Sequence, residues 1–446
     1  MRITFIQPSV GRKADGSPYP RSWIMEPLSI AVLAGLTPPC HAREFIDDRL
    51  EPVPYERPTD LVCLSVETYT ARRAYQIAAQ YRRRGVPVVM GGFHPTLVPD
   101  EAAGRADAVV VGEAEPVWAE LLDDAAARRL RPQYRAAAPP RLAGWPCPDR
   151  SVYSGRRYGP LALVETSRGC RNDCEFCSIA SFFRQDYRAR PVDEVAREVR
   201  SLAQRNIFFV DDNLGVDPAR LRDLCEALIP LRRRWIGQTT LRLAQDEALL
   251  RLMRRSGCVG VLIGFESLSA GNLTAMGKAV NADGLGYDAA LERLRRHGLG
   301  VYGTFVFGYD DDTPDAFEET FRFAMRHRLF FAAFNHLVPF PGTRVYARFL
   351  AEQRLVSGAW WLEPQYRFGS VAFRPARLSA EDLAALCLEY RRRFYSPGSV
   401  CRRALDFRGN CGSVFKAGVY LAQNVAAGRE VERRHGLPLG FIGEGG

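Results

Sequence analysis

The densest chemistry in the chain lies in the thirteen residues Glu165-Thr-Ser-Arg-Gly-Cys-Arg-Asn-Asp-Cys-Glu-Phe-Cys177. Three thiols at CxxxCxxC spacing, reached from the apolar and β-branched run Leu161 to Thr166, place three sulfurs on one tight loop at the end of an expected strand. Such a loop can hold a cuboidal iron-sulfur cluster by three of its four irons, leaving the fourth open to a small molecule. A structural zinc site is the alternative, but zinc takes four closed ligands, commonly as paired CxxC, and no second pair follows.

This spacing, with the aromatic Phe176 just before the last cysteine, resembles the signature of the radical S-adenosylmethionine (SAM) superfamily. The resemblance implies a 4Fe-4S cluster on Cys170, Cys174 and Cys177, SAM as the molecule at the open iron, and a (βα)6 partial barrel over residues 161–350. It also implies a small-molecule substrate and an electron donor such as a flavodoxin or ferredoxin.

The barrel strands must then present the residues that hold SAM. Carboxylates at the carboxyl end of a barrel strand point into the catalytic mouth, and the strand Asn206 to Val210 ends in Asp211-Asp-Asn213, candidates for the SAM ammonium. The strand Gly237 to Arg242 ends in Arg242, a candidate partner for the SAM carboxylate. Gly260 to Ser267 resembles the family's glycine-rich fifth-strand segment, so Glu266 is a candidate for the ribose. A helix N-cap shared with Ser267 is the competing role. Phe176 completes the SAM set. Tyr302 to Gly308 reads as the sixth strand, and Asn335 to Thr343 resembles the PxPGT closing turn of cobalamin-type members. There His336 is a weak candidate for substrate contact, against a structural role.

Residues 1–128 alternate short strands and helices, the pattern of an open parallel, Rossmann-like α/β sheet. Expected strands are Met1–Ile6, Arg43–Asp47, Asp60–Val66, Pro87–Met90 and Ala108–Val111. Ligands of such sheets sit beyond the carboxyl ends of the strands, which singles out Gly91, Gly92, His94, Gly112 and Glu113; tight turns alone would also explain the glycines. No GxGxxG follows the first strand, against a dinucleotide fold. The succession from Gly91 to Glu115, with Glu26-Pro-Leu28 and Leu61 to Thr68, is similar to the N-terminal domain of cobalamin-binding radical SAM proteins. The DxHxxG motif that supplies a lower axial histidine is absent, so the corrinoid is expected without a protein histidine below cobalt; a vestigial, empty domain is the alternative. The Pro- and Arg-rich stretch 129–160 reads as a linker. Residues 351–446 read as a mostly helical C-terminal domain that covers the barrel mouth and the substrate, with completion of the core as the alternative, ending in an unstructured tail from Gly440.

Composition removes several function classes. Eleven cysteines, mostly isolated in apolar runs, make no disulfide framework, and an oxygen-labile cluster places the chain in the cytoplasm. No apolar run approaches a membrane span. The net charge of +10 is carried by arginine blocks such as Arg82–Arg84 and Arg232–Arg234 on helical patterns, without the interleaved aromatics of a nucleic-acid binder.

Together the domains imply a cobalamin-dependent methyltransferase, in which reductive SAM cleavage activates an unreactive carbon that then receives a methyl group. The same domains also serve non-methylating radical chemistry: cyclisation, ring rearrangement or transfer of the aminocarboxypropyl group of SAM. An electron-transfer or cluster-storage protein has no use for strand-end Asp211, Arg242 and Glu266. A transfer RNA methylthiotransferase needs a second cluster, for which Cys40, Cys63 and Cys147 are poorly arranged.

Overall fold

Short β-branched runs alternating with amphipathic stretches dictate parallel strands joined by helical crossovers. The computed structural model, which describes residues 1–19, 24–278 and 285–441, has two such sheets. The first joins β1 (Arg2–Gln7), β2 (Ala42–Asp47), β3 (Leu61–Ser65), β4 (Val88–Gly91), β5 (Ala108–Val111) and β6 (Gln133–Arg135) in the order β2-β1-β3-β4-β5-β6, all parallel. Every residue of β5 is buried, the reason it reads as a continuous apolar run rather than an alternating one.

β6 corrects the expected linker. It carries one buried residue, Tyr134, whose hydroxyl donates to Asp124 at 2.9 Å. A three-residue edge strand in arginine- and proline-rich surroundings leaves no period to read.

The second sheet follows. β7 (Leu161–Val164) is succeeded by a two-stranded antiparallel ribbon of β8 (Ser167–Arg168) and β9 (Arg188–Ala189), then by β10 (Asn206–Phe209), β11 (Arg234–Thr239), β12 (Cys258–Glu266), β13 (Gly300–Phe307) and β14 (Phe331–His336). Its order, β14-β13-β12-β11-β10-β7, is that of an open six-stranded parallel half-barrel. β11 stops at Thr239, so Arg242 lies beyond the strand in a 3-10 turn, Leu241–Gln245. The run expected as the sixth strand is the fifth, and β14 is the sixth. No glycine or proline separates it from the helix Pro314–Arg326; the break is made by Arg328, which takes the left-handed conformation at φ 50°.

The residues from 351 onward complete the cores of both sheets. Trp360, Trp361, Tyr366 and Leu439 pack into the core of the first sheet. Phe373, Leu383, Tyr390 and Phe394 pack into that of the second. The helix Ala380–Phe394, capped by Ser379, crosses β14, and its Arg391 Nε donates to the Phe334 carbonyl at 2.7 Å. This segment is a staple across both sheets. Of the expected glycine-rich tail, everything beyond Phe441 lies outside the described residues.

Candidate active site at the facing strand ends

The cluster loop leaves β7 and is pinched at its base by the β8–β9 ribbon. Gly169 turns the chain into Cys170 at φ 81°, and a Cβ there would stand 2.1 Å from the Asp186 carbonyl oxygen, so only glycine fits. The Cys177 amide donates to the Cys174 carbonyl, and the helix Ser178–Phe183 starts at once. Cys170 and Cys177 are partly covered; Cys174 is buried, and burial pushes its thiol up to about 11. Phe176 packs on the barrel core. Among the described residues no three His, Cys, Asp or Glu side chains stand at the spacing of one bound ion. A cuboidal cluster takes each thiolate on a different iron, so three thiols spread over one loop, close enough to feel one another's charge, fit it.

Asp211, Asp212 and Asn213 grip this loop. Asp211 accepts from the Thr166 amide and hydroxyl at 3.1 and 2.7 Å and from the Ser167 hydroxyl. Asp212 accepts from the Gly169 amide at 2.9 Å, and Asn213 Nδ2 lies 3.9 Å from Cys170 Sγ. Both Asp211 oxygens are thereby engaged by the loop, whereas Asp212 has a single hydrogen-bond donor among the described residues. Burial, with Asp211 and Glu165 nearby, pushes Asp212 up to about 7.

On the other side of the thiols stands a pair of which the sequence indicated only one member. Glu266 adopts φ 63° at an irregularity in the β12–β13 pairing and accepts from Lys278 Nζ at 2.8 Å. Gly264 makes room: a Cβ there would fall 2.0 Å from Glu266 Oε1 and 3.1 Å from Lys278 Nζ. Gly277, at φ 69°, brings the lysine against the cluster loop, where a Cβ would meet the Asp173 carbonyl oxygen at 2.7 Å. The Lys278 charge acts on both Cys174 and Cys177. Arg242, the expected partner of the SAM carboxylate, is exposed. A compositional signal for Lys278 was available: it is one of three lysines among 61 basic residues, and lysine puts a compact charge where the planar fork of arginine needs more space.

The first sheet turns its carboxyl edge toward this loop. Arg168, two residues before Cys170, donates Nη1 to Glu113 and Nη2 to Glu115, both at 2.6 Å, and Nε to both oxygens of Glu165 at 3.0 Å. Arg188 Nη2 also reaches Glu113, at 2.7 Å. Phe93, after β4, touches Phe182 of the helix after Cys177, with ring centroids 4.6 Å apart. Glu113 is therefore a tie between the sheets.

The remaining candidates on this rim separate. Gly112, at φ 88°, has nothing within 4 Å of where a Cβ would be and leaves the open approach a bulky ligand needs; the rim fits a corrinoid there. Gly91 is less open, and Gly92 is used by its own turn, since a Cβ would meet the Val66 carbonyl oxygen at 2.7 Å. His94 is fully buried, with Nε2 3.1 Å from Tyr75 Oη and 3.0 Å from Glu101 Oε1, and Trp361 against its ring. It is a core histidine, turned away from the rim by the aromatic staple. His41 lies at the amino edge beside Met1.

His336 ends β14 but does not face an open mouth. It is 7% exposed, its Nδ1 is 3.0 Å from the Leu337 carbonyl, and burial lowers its pKa to about 4 from 6.5. Between those values the unfolded chain holds a proton that the folded one does not, so stability rises with pH. This contribution is complete above 6.5 and is lost as pH falls through 4. It is worth about 3 kcal/mol. Denaturant unfolding of His336→Gln should show a correspondingly flatter pH dependence between 4 and 6.5; an unchanged slope would mean that the imidazole is not sealed.

Comparison with known proteins agrees with this arrangement. The model of the radical SAM superfamily matches residues 164–324, and that of the B12 binding domain residues 39–122. Bacteriochlorophyllide d C-12(1)-methyltransferase of Chlorobaculum tepidum is 29% identical over 389 residues, 84% of each chain. Bacteriochlorophyllide d C-8(2)-methyltransferase of the same organism is 30% identical over 341 residues, 72% of this chain and 75% of that one. In fold, the chain is similar to the radical S-adenosylmethionine methyltransferase TsrM of Kitasatospora setae, solved with tryptophan and a SAM analogue, at TM-score 0.66, 17% identity and coverage of 97% and 99%. The same protein with cobalamin and a [4Fe-4S] cluster gives 0.64.

Proposed function

Because the chain belongs to the cobalamin-binding branch of the radical SAM superfamily, with a 4Fe-4S cluster, SAM and cobalamin as its cofactors, we propose that it methylates an unactivated carbon of a large, mostly apolar small molecule of the tetrapyrrole class. The observation that carries methyl transfer is the Arg168 tie, which holds the carboxyl rim of the corrinoid-type sheet against the cluster loop, an arrangement that would let both cofactors open on one cleft. The substrate class is taken from the two bacteriochlorophyllide methyltransferases, which this chain matches over most of their length.

When bound, the cluster supplies the electron that cleaves SAM and the corrinoid supplies the methyl group. The protein holds and orients. Cys170, Cys174 and Cys177 would carry the cluster, and Asp211 and Asp212 fix the loop that bears them. Lys278 is our candidate for the SAM carboxylate in place of Arg242, with Glu266 beside it for the ribose and Asp212 for the ammonium. Gly112 and Gly91 give the corrinoid close backbone approach. A flavodoxin or ferredoxin would deliver electrons in the reducing cytoplasm. No helix among the described residues is long and apolar enough to cross a membrane.

The assay is anaerobic reconstitution with cobalamin, SAM, a reductant and a bacteriochlorophyllide-type substrate, followed by mass spectrometry. S-adenosylhomocysteine, 5′-deoxyadenosine and a product one methyl heavier are expected. Formation of 5′-deoxyadenosine or methylthioadenosine alone would instead establish the non-methylating reading. Lys278→Met should weaken SAM binding roughly tenfold or more, the worth of a charge-assisted hydrogen bond, with iron content unchanged. Unaltered SAM affinity would remove Lys278 from the site.

A further inference from the structure

The amino-terminal edge of the half-barrel, opposite the cluster loop, is closed by the helix Val414–Arg434. Its inward side is specific and polar. Tyr420 and Asn424 are fully buried, Arg403 donates to Asn424 Oδ1 and to the Leu329 carbonyl at the foot of β14, and Lys416 Nζ reaches the Gly298 carbonyl at the foot of β13. The outward side reverses the usual pattern of a surface helix, whose exposed face is polar. Of nine large apolar side chains exposed among the described residues, seven lie between positions 405 and 425, with Val414 at 93%, Phe407 at 71% and Leu405 at 57%. An apolar face of this extent marks a contact surface.

Charge chooses the partner. From Pro397 to Arg434, the end of the helix, the chain has seven basic residues and three acids, of which Asp406 is buried and bonded to the turn that follows it. Arg402, Arg408 and Arg429 are exposed around the apolar face, and the Arg234 guanidinium lies 3.8 Å over the Phe415 ring. A second copy docked about a two-fold axis would set these arginines against themselves. An electron donor has no reason to dock here, because the cluster loop is at the other end of the strands. Val414, Phe415, Val419, Leu421 and Val425 recur at helical spacing, so the exposed face is one continuous apolar stripe along a single helix, the form of a helix that lies in a membrane interface. An exposed apolar helix face beside three exposed arginines that form no ion pair among the described residues fits the headgroup layer of an anionic bilayer.

We propose that this face binds the protein peripherally to anionic membranes, with the catalytic mouth directed away from the lipid. It concerns the far side of the barrel and does not depend on the substrate. The test is co-sedimentation of the full chain with vesicles of phosphatidylglycerol and phosphatidylcholine, and with phosphatidylcholine alone. Binding should require the anionic lipid and weaken with salt. Phe407→Glu with Val414→Glu should lower it at least about tenfold, and each of Arg402→Gln, Arg408→Gln and Arg429→Gln roughly fivefold. Val356→Glu, at a residue 62% exposed elsewhere, should leave it unchanged. All these side chains are exposed, so thermal melting should match the parent protein. Absence of binding at every composition, equal binding to neutral vesicles, or a solution dimer dissociated by the Phe407 and Val414 changes would each overturn the proposal, the last by giving the face to a second copy.

Discussion

Replacement of Cys170, Cys174 and Cys177 together by alanine should take the protein from about four irons per chain to none, and SAM cleavage should disappear with them. The completeness of this loss follows from where the other thiols are. Cys63, Cys225, Cys258 and Cys387 are sealed in apolar cores, with burial pushing Cys225 up to about 11 and Cys387 to about 12, and so are poor thiolate donors. Cys40 and Cys147 are exposed on the first sheet's side of the molecule, and Cys401 and the partly covered Cys411 lie near the base of the barrel, away from the cluster loop. A remaining full cluster in the triple variant would overturn the assignment. About eight irons in the parent protein would demand a second site, yet Cys63, one of the three thiols that the methylthiotransferase alternative would need, is inside the sheet. Because Asp211 and Asp212 brace the loop from outside the ligand set, the folded sheets should survive: far-ultraviolet circular dichroism should be unchanged.

The sequence made legible whatever depends on local spacing. The three cysteines share one turn, and the buried strands β3 and β5 declare themselves as apolar runs because both of their faces are covered. What depended on contacts between distant residues was not legible. Asp211 stands where a mouth-facing carboxylate should, but its oxygens are taken by Thr166 and Ser167, 45 and 44 positions earlier. His94 reads as a rim residue by position, and it is buried because Trp361, which also bonds Glu101, closes over it from the far end of the chain. Lys278 sits twelve residues beyond Glu266 in a stretch without a strand or helix period, and only folding shows that Gly264 and Gly277 were kept small to admit it. Arg168 lies inside the cysteine motif itself, yet three carboxylates from two sheets are invisible in a spacing.

That arginine carries the second large effect. Arg168→Gln should leave SAM cleavage within a few-fold of the parent and lower methyl transfer about a hundredfold, the scale at which a displacement near 1 Å is felt. Its guanidinium is 9% exposed and bonds Glu113, Glu115 and Glu165, whose side chains are 10, 8 and 24% exposed. Removing one member of such a set leaves buried charges uncompensated and costs about 3–5 kcal/mol, here at the joint between the two rims, with only Arg188 left to hold Glu113. The cluster loop keeps its other anchors, Asp211, Asp212 and the β8–β9 ribbon, so iron content should hold. Burial already raises Glu165, with Arg168 opposing the rise. Without the arginine Glu165 should protonate more readily, and part of the lost methyl transfer should return on lowering the pH from 8 toward 6. Arg168→Lys keeps the charge but cannot reach three carboxylates at once, and should fall between. If methyl transfer and SAM cleavage decline in parallel, or if acid gives no recovery, Arg168 serves the cluster loop alone and the two sheets are aligned by the aromatic contacts of Phe93 and the C-terminal staple instead.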